Sequence, residues 1–230
     1  MLAAAGRGGT DGQASTTHCR RALEELIRAY WFPLYAFIRR QGNSPQQAED
    51  LTQGFFAHLL ENRGLTTVDG SRGKFRSFLL AALKNFMADQ RRKAHAAKRG
   101  GSRQVLSLDA IEAEAHYTKE LADTMTPERL FERSWAIAVL NQVLLRLENE
   151  YAKRGKTAVF QALRHLLDGQ ADAKSHAEIA RQLGTSESAV RVMAHRLRRR
   201  YRRLLREEII HTVANEELVD EEIQHFLECL

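Results

Sequence analysis

Cysteine is nearly absent. The 230 residues hold only Cys19 and Cys229, which excludes a disulfide framework and a cysteine-rich zinc site and fits a reducing cytosol. Proline is equally scarce: there are 3, where average usage of about 5% would give roughly a dozen. Proline is barred from helix interiors, so this scarcity favours long helices. No run of about 18 apolar residues occurs, so no membrane-crossing helix and no membrane insertion are expected. Met1 to Thr17 has one Arg, several Gly and no apolar stretch, unlike a signal peptide, and residues 1–18 are expected as a flexible tail. There is no phosphate-binding glycine loop, no His-x-x-x-His pair of the zincin kind, and no cysteine pair after His176-Ala177-Glu178. No catalytic residue, metal ligand or cofactor site is therefore expected, and the chain is not read as an enzyme.

What is present is a core and an uneven charge. Hydrophobic residues make up 43%, enough to rule out wholesale disorder. The net charge is +6 and the pI about 9.5, which puts nucleic acid or an anionic surface ahead of a cationic partner. Arg191 to Arg206 holds eight Arg in sixteen residues and no acid. Lys84 to Arg103 holds seven basic residues and one acid, Asp89. Thr212 to Leu230 reverses the sign, with six acids and no Lys or Arg.

The periodicity is helical throughout, and the expected fold is all-α: two small helical domains joined by a linker, the second a helix-turn-helix. Cys19–Gln41 carries apolar residues at 3/4 spacing, with Pro33 as an expected kink. Ser44-Pro45-Gln46-Gln47 opens a second helix as a capping box with Pro at the first helical position. Ala48, Leu51, Phe55, Phe56 and Leu59 are its expected buried face, and Gly64 its end. After a glycine-broken loop, a third helix is expected from about Lys74 to Lys98, apolar first and basic last. These segments form a domain over 19–99. Gly100–Thr126 reads as a linker with one short helix. Helices near 127–151, 156–167, 175–183 and 186–211 form a second domain over 127–211. The expected buried face of the first is Leu130, Trp135, Ile137, Ala138, Leu140, Leu144 and Leu147. Residues 212–230 form an acidic extension with a short amphipathic helix.

The strongest local signal is Ser175 to Arg191. Ala180 must be small where the second helix crosses it. Ile179, Leu183 and Val190 clamp the pair, Gly184 permits the turn, and Ser186 caps the second helix. That helix would lie in the major groove, with Ser186, Glu187, Ser188, Arg191, Val192 and His195 facing outward. Arg191 matches the O6 and N7 of guanine, and Glu187 matches N4 of cytosine. Arg196, Arg198, Arg199, Arg200, Arg202 and Arg203 are assigned mainly to phosphate.

The second signal is Ala81 to Lys93. Asn85 and Asp89 are four apart on one face, and Asp89 reaches Arg92 or Lys93. Trp31, Phe32, Phe75, Phe78 and Phe86 are near by. A basic helix beside aromatics suits unstacked bases, although at helical spacing most such rings belong to a core.

These motifs together resemble a bacterial RNA polymerase sigma factor of the extracytoplasmic-function type. Ala48-Glu49-Asp50-Leu51-Thr52-Gln53-Gly54-Phe55-Phe56 looks like the family's polymerase-docking helix. Asn85-Phe86-Met87-Ala88-Asp89-Gln90-Arg91-Arg92 looks like its minus-ten helix, and the helix-turn-helix looks like its minus-thirty-five reader. The resemblance implies that Glu49, Asp50 and Gln53 meet polymerase core. It implies that Lys74, Asn85, Asp89, Arg92 and Lys93 serve the melted strand, with the loop Asn62–Lys74 holding a flipped base. Arg181, Ser186, Glu187, Ser188, Arg191, Val192, His195, Arg196 and Arg199 would serve the upstream element. It further implies a cytoplasmic protein, monomeric when free, whose partners are RNA polymerase core and promoter DNA. An anti-sigma factor, the acidic extension and expression level are the open routes of control. Phe78 stands where the family often has Trp, and the extension beyond Thr212 exceeds its minimal layout.

A conventional helix-turn-helix regulator, binding duplex DNA as a dimer without polymerase, accounts for 175–211 but not for the basic helix at 74–98. The six acids of the tail leave two alternatives: it folds back on the arginine-rich helix and masks it, or it is a solvated end that aids solubility.

Overall fold

The computed structural model describes residue 27 and residues 29–61, 74–96, 108–120, 125–167, 175–213 and 215–230. The expected N-terminal tail, the helix end at Gly64, and residues 62–73 of the base-holding loop lie outside them. The described residues are all-α, with one isolated bridge between Lys74 and Val213. They form helices α1 (29–40), α2 (Pro45–Glu61), α3 (Phe75–Ala96), α4 (Leu108–Glu120), α5 (Pro127–Lys153), α6 (Thr157–Leu163), α7 (His176–Leu183), α8 (Glu187–Ile210) and α9 (Val219–Glu228). The chain divides into two compact units, one of residues 1–69 and 79–135, the other of 70–78 and 136–230. No described helix is long and apolar enough to cross a membrane.

In the first unit, α1 continues through Pro33 and buries Tyr30, Leu34, Phe37 and Ile38. The capping box of α2 is formed: the Ser44 N–H donates to Gln47 Oε1 at 2.9 Å, and the Gln47 N–H donates to Ser44 Oγ at 3.3 Å. The buried stripe of α2 is Ala48, Glu49, Thr52, Phe55, Phe56 and Leu59, so it is rotated from the expected one and leaves Leu51 half-exposed. Thr52 tolerates burial because its hydroxyl donates to the Ala48 carbonyl at 2.7 Å. Leu79, Leu83, Phe86 and Met87 of α3 complete the core. Gly54 permits this packing: a Cβ there would lie 3.3 Å from the Phe86 ring.

The expected linker carries α4, and α4 is tied down. Glu114 accepts from Tyr35 Oη at 2.6 Å and from Arg39 Nε and Nη2 at 2.8 and 2.7 Å. The Arg39 guanidinium also sits 4.9 Å from the centre of the Tyr117 ring. Arg39 holds the Glu114 carboxyl below the usual carboxylate range, and burial followed by the Glu114 contact pushes the Tyr35 hydroxyl up.

In the second unit, α5 presents Ala136, Val139, Val143 and Leu147 to the core. The expected Ile137, Ala138, Leu140 and Leu144 are only half-buried, because a straight helix buries the narrower 136/139/143/147 stripe. The α8 helix buries Val190, Ala194, Leu197 and Leu204, a 4-3-7 spacing that keeps one face inward over most of its length. On α9, Val219 and Phe226 are fully buried, each contributing about 1.5–3 kcal/mol.

Candidate nucleic-acid interface

The geometry of the second unit begins with two caps. Ser175 and Glu178 form a capping box on α7, with the Ser175 N–H donating to Glu178 Oε2 at 2.7 Å and the Glu178 N–H to Ser175 Oγ at 3.3 Å. Ser186 caps α8 by accepting the Ala189 N–H at 3.2 Å. Between them the chain turns at Gly184, whose φ of 62° is left-handed and therefore suits glycine. The Thr185 N–H closes the turn on the Ala180 carbonyl at 3.0 Å. Ile179, Ala180 and Val190 are buried between the helices, as the spacing predicts, and Leu183 is half-buried.

This packing leaves Ser186, Glu187, Ser188, Arg191, Val192, His195, Arg196 and Arg199 exposed along α8, and Arg181 exposed on α7. Ser186 Oγ and Ser188 Oγ lie 3.0 Å apart. Arg191 Nη2 donates to Glu187 Oε1 at 2.6 Å, one turn earlier. Both stay solvent-exposed, so the pair orients the Arg191 fork at little energetic cost. Val192 beside it is 48% exposed, an apolar surface of the kind that meets a thymine methyl.

The other arginines divide into two groups. Arg196, Arg199 and Arg202 are exposed, with no hydrogen bond or ion pair to another described residue. Arg200, expected on phosphate, is turned inward instead. Its Nε donates to Glu150 Oε2 at 2.8 Å, its guanidinium also pairs with Glu207, and it holds the Glu150 carboxyl below its usual range. Arg198 donates to the Leu166 carbonyl at 3.3–3.4 Å, and Arg203 lies 4.0 Å from Glu207. The helical period puts Arg199 opposite the stripe of 190, 194, 197 and 204 and Arg200 at its border, where Glu150 meets it.

In the first unit, Asn85, Asp89, Arg92 and Lys93 are all exposed on α3, and Arg92 pairs with Asp89. Phe86 is not available to a base. It is buried, with its ring 5.7 Å from Phe55 and 5.4 Å from His58. Trp31 stacks on Phe56 and Phe32 meets His116 edge-on, so these rings serve the unit itself. On α2, Asp50 and Gln53 are exposed. Glu49 is only 6% exposed and accepts from Gln53 Nε2 at 3.1 Å, so it faces the core rather than a partner. A cleft of about 340 Å³ opens beside Asp50, lined also by Asn43, Gln47, Met87 and Arg91.

Lys74 departs furthest from expectation. It belongs to the second unit, and its ammonium lies 2.8 Å from Glu221 and 3.1 Å from Glu222. The long-range pairs of Glu114 and Glu150 leave no local spacing signal. Glu222 had one: at 3/4 spacing from Val219 and Phe226 it occupies the apolar stripe of α9, so a basic partner was required.

The family model for sigma-70 region 2 matches residues 26–97, and that for sigma-70 region 4 matches residues 170–200. No curated protein and no solved structure matches the chain. The two matches fall, in order, on α1–α3 and on the helix-turn-helix, and the chain belongs to the sigma-70 family in the two-region layout of its extracytoplasmic-function type. Members of this family are non-catalytic subunits that bring RNA polymerase core to promoter DNA.

Proposed function

We infer that this chain selects promoters by reading an upstream duplex with α8 and assists melting by holding the separated strand on α3. The outward face of α8 carries the reading. From Glu187 to His195 the helix rises about 12 Å, comparable to the width of the major groove. Arg191 and Val192 therefore meet base edges, and Glu187, Ser186, Ser188 and His195 line the same contact. Arg196 and Arg199 emerge at the groove edge and meet phosphates, and Arg181 on α7 meets the backbone on the other side.

On α3, Asn85 and the Arg92–Asp89 pair supply hydrogen bonds to an unpaired strand, and Lys93 supplies charge. Such contacts offset the few kcal/mol that unstacking each base costs. Asp50 and Gln53 supply the core-polymerase contact. The free protein is a monomer, works in the cytoplasm where the template lies, and is open to control by an anti-sigma partner.

The test compares DNA binding with and without purified core polymerase. Promoter-specific binding that requires core, by a protein that is monomeric alone, supports the reading. Tight dimeric binding to a palindromic duplex without core would instead identify a conventional helix-turn-helix regulator.

A further inference from the structure

The described residues of the acidic tail leave the reading face of α8 exposed. An ion pair joins α9 to α8 at Asp220 and Arg206, beyond the arginines assigned to DNA. The tail turns instead to the first turn of α3, within the second unit. There the Phe75 N–H donates to the Thr212 carbonyl at 2.9 Å, and Lys74 bridges Val213. Glu222 is fully buried against Arg76, accepting Nε at 2.5 Å and Nη2 at 3.1 Å. The Lys74 ammonium closes the cluster between Glu221 and Glu222.

We propose that α9 is an in-cis acidic occupant of the start of α3: its carboxylates hold Lys74 where nucleic-acid phosphates would otherwise bind, so that the strand and α9 compete for this lysine. This rests on α3 being the strand-binding helix. A carboxylate pair and a phosphodiester offer an ammonium the same chemistry, anionic oxygens within hydrogen-bond reach.

The cluster divides into an anchor and an exchangeable rim. Val219, Phe226 and the Glu222–Arg76 pair are buried and fix α9 in place. Lys74 is 20% exposed and Glu221 is 68% exposed, so this contact meets solvent and is open to a competing anion. Regulation then acts on one cation at the helix start and leaves the duplex-reading face untouched. Two of the tail's acids are thus explained by position rather than by bulk charge: Glu222 is structural, and Glu221 is the competitor.

The full-length chain and its Glu221→Gln variant are compared for binding to a fluorescent, mixed-sequence single strand of about 20 nucleotides, a span suited to stacking and backbone contacts. Glu221 is exposed, so the anchor and the fold are retained, and a thermal melt checks this. The variant is expected to bind two- to fivefold more tightly at about 50 mM salt, with a salt dependence steeper by up to about 0.7 in log–log slope. Adding Lys74→Ala to Glu221→Gln should abolish the gain. Equal affinity and slope in wild type and Glu221→Gln would overturn the proposal and make α9 a fixed clasp. An Arg92→Ala control separates the two readings. If it weakens strand binding while Glu221→Gln changes nothing, only the competition fails. If it too changes nothing, α3 is not a strand binder and both fall.

Discussion

Arg199 and Arg200 are adjacent on one helix and should fail in opposite ways. Arg200 and Glu150 are each 22% exposed and joined by a two-pronged guanidinium–carboxylate contact, with Glu207 as a third partner. Arg200→Ala leaves Glu150 half-buried without that partner. Breaking a fully buried pair costs about 3–5 kcal/mol, and solvent access here reduces this to about 1–2 kcal/mol. For a unit of this size that is a fall of roughly 5–10 °C in melting temperature. Arg199 is exposed with no partner among the described residues, so Arg199→Ala should change stability by less than about 0.5 kcal/mol. It should instead remove one phosphate contact and flatten the salt dependence of duplex binding by about 0.9 in log–log slope. Differential scanning fluorimetry and fluorescence anisotropy across a salt series on the core-bound complex measure both. If Arg200→Ala melts like wild type but loses salt dependence, or Arg199→Ala melts like Arg200→Ala, the assignment of inward and outward arginines is wrong.

Arg191→Ala should cost about 1–3 kcal/mol at a single base pair of the upstream element, whereas Arg202→Ala should weaken binding to all sequences alike; a mutational scan of the site distinguishes them. Gly184→Ala meets no neighbour within 4 Å, so its cost is that of a left-handed backbone alone, about 1–2 kcal/mol, read as a lowered melting temperature without loss of helix content. Acid should destabilise the fold. Arg39, Arg200, and the Arg76–Lys74 pair against burial, hold Glu114, Glu150 and Glu222 below their unfolded values, so their stabilisation is full above about pH 4.3 and is lost as pH falls through the lower folded values. A melting temperature unchanged between about pH 6 and 3 would contradict this linkage.

Much of this architecture was legible because its signals are local. The Ser44–Gln47 box, the Gly184 turn and the Ser186 cap are short-range motifs whose backbone partners lie within a few residues. Helical period predicted the buried clamp of Ile179 and Val190 for the same reason. The rest was hidden for two reasons. Helical period marks a face but not its width, so Leu51 and Leu144 fit an apolar pattern yet are only half-buried, while Thr52 and Val143 are buried. Residue type alone does not fix the partner of a charged side chain. Helical period puts Arg199 on the outer face and Arg200 at the border of the buried one, but nothing local names their partners or separates Lys74 from Lys93, because Glu150 and Glu222 lie 50 and 148 positions from Arg200 and Lys74. The aromatic cluster around Phe86 illustrates the general rule that rings at helical spacing are core first. The resemblance implies polymerase contact for both Glu49 and Asp50, but of these neighbouring helical positions only Asp50 faces outward.

Transcription by purified core polymerase on a genomic template pool, with sequencing of the transcript starts, tests the central claim most directly. The claim predicts starts that appear only when this chain is added, that share one upstream and one downstream sequence element at fixed spacing, and that vanish with Arg191→Ala or Arg92→Ala. Starts that are unchanged by the chain, or repression with no new starts, would contradict it.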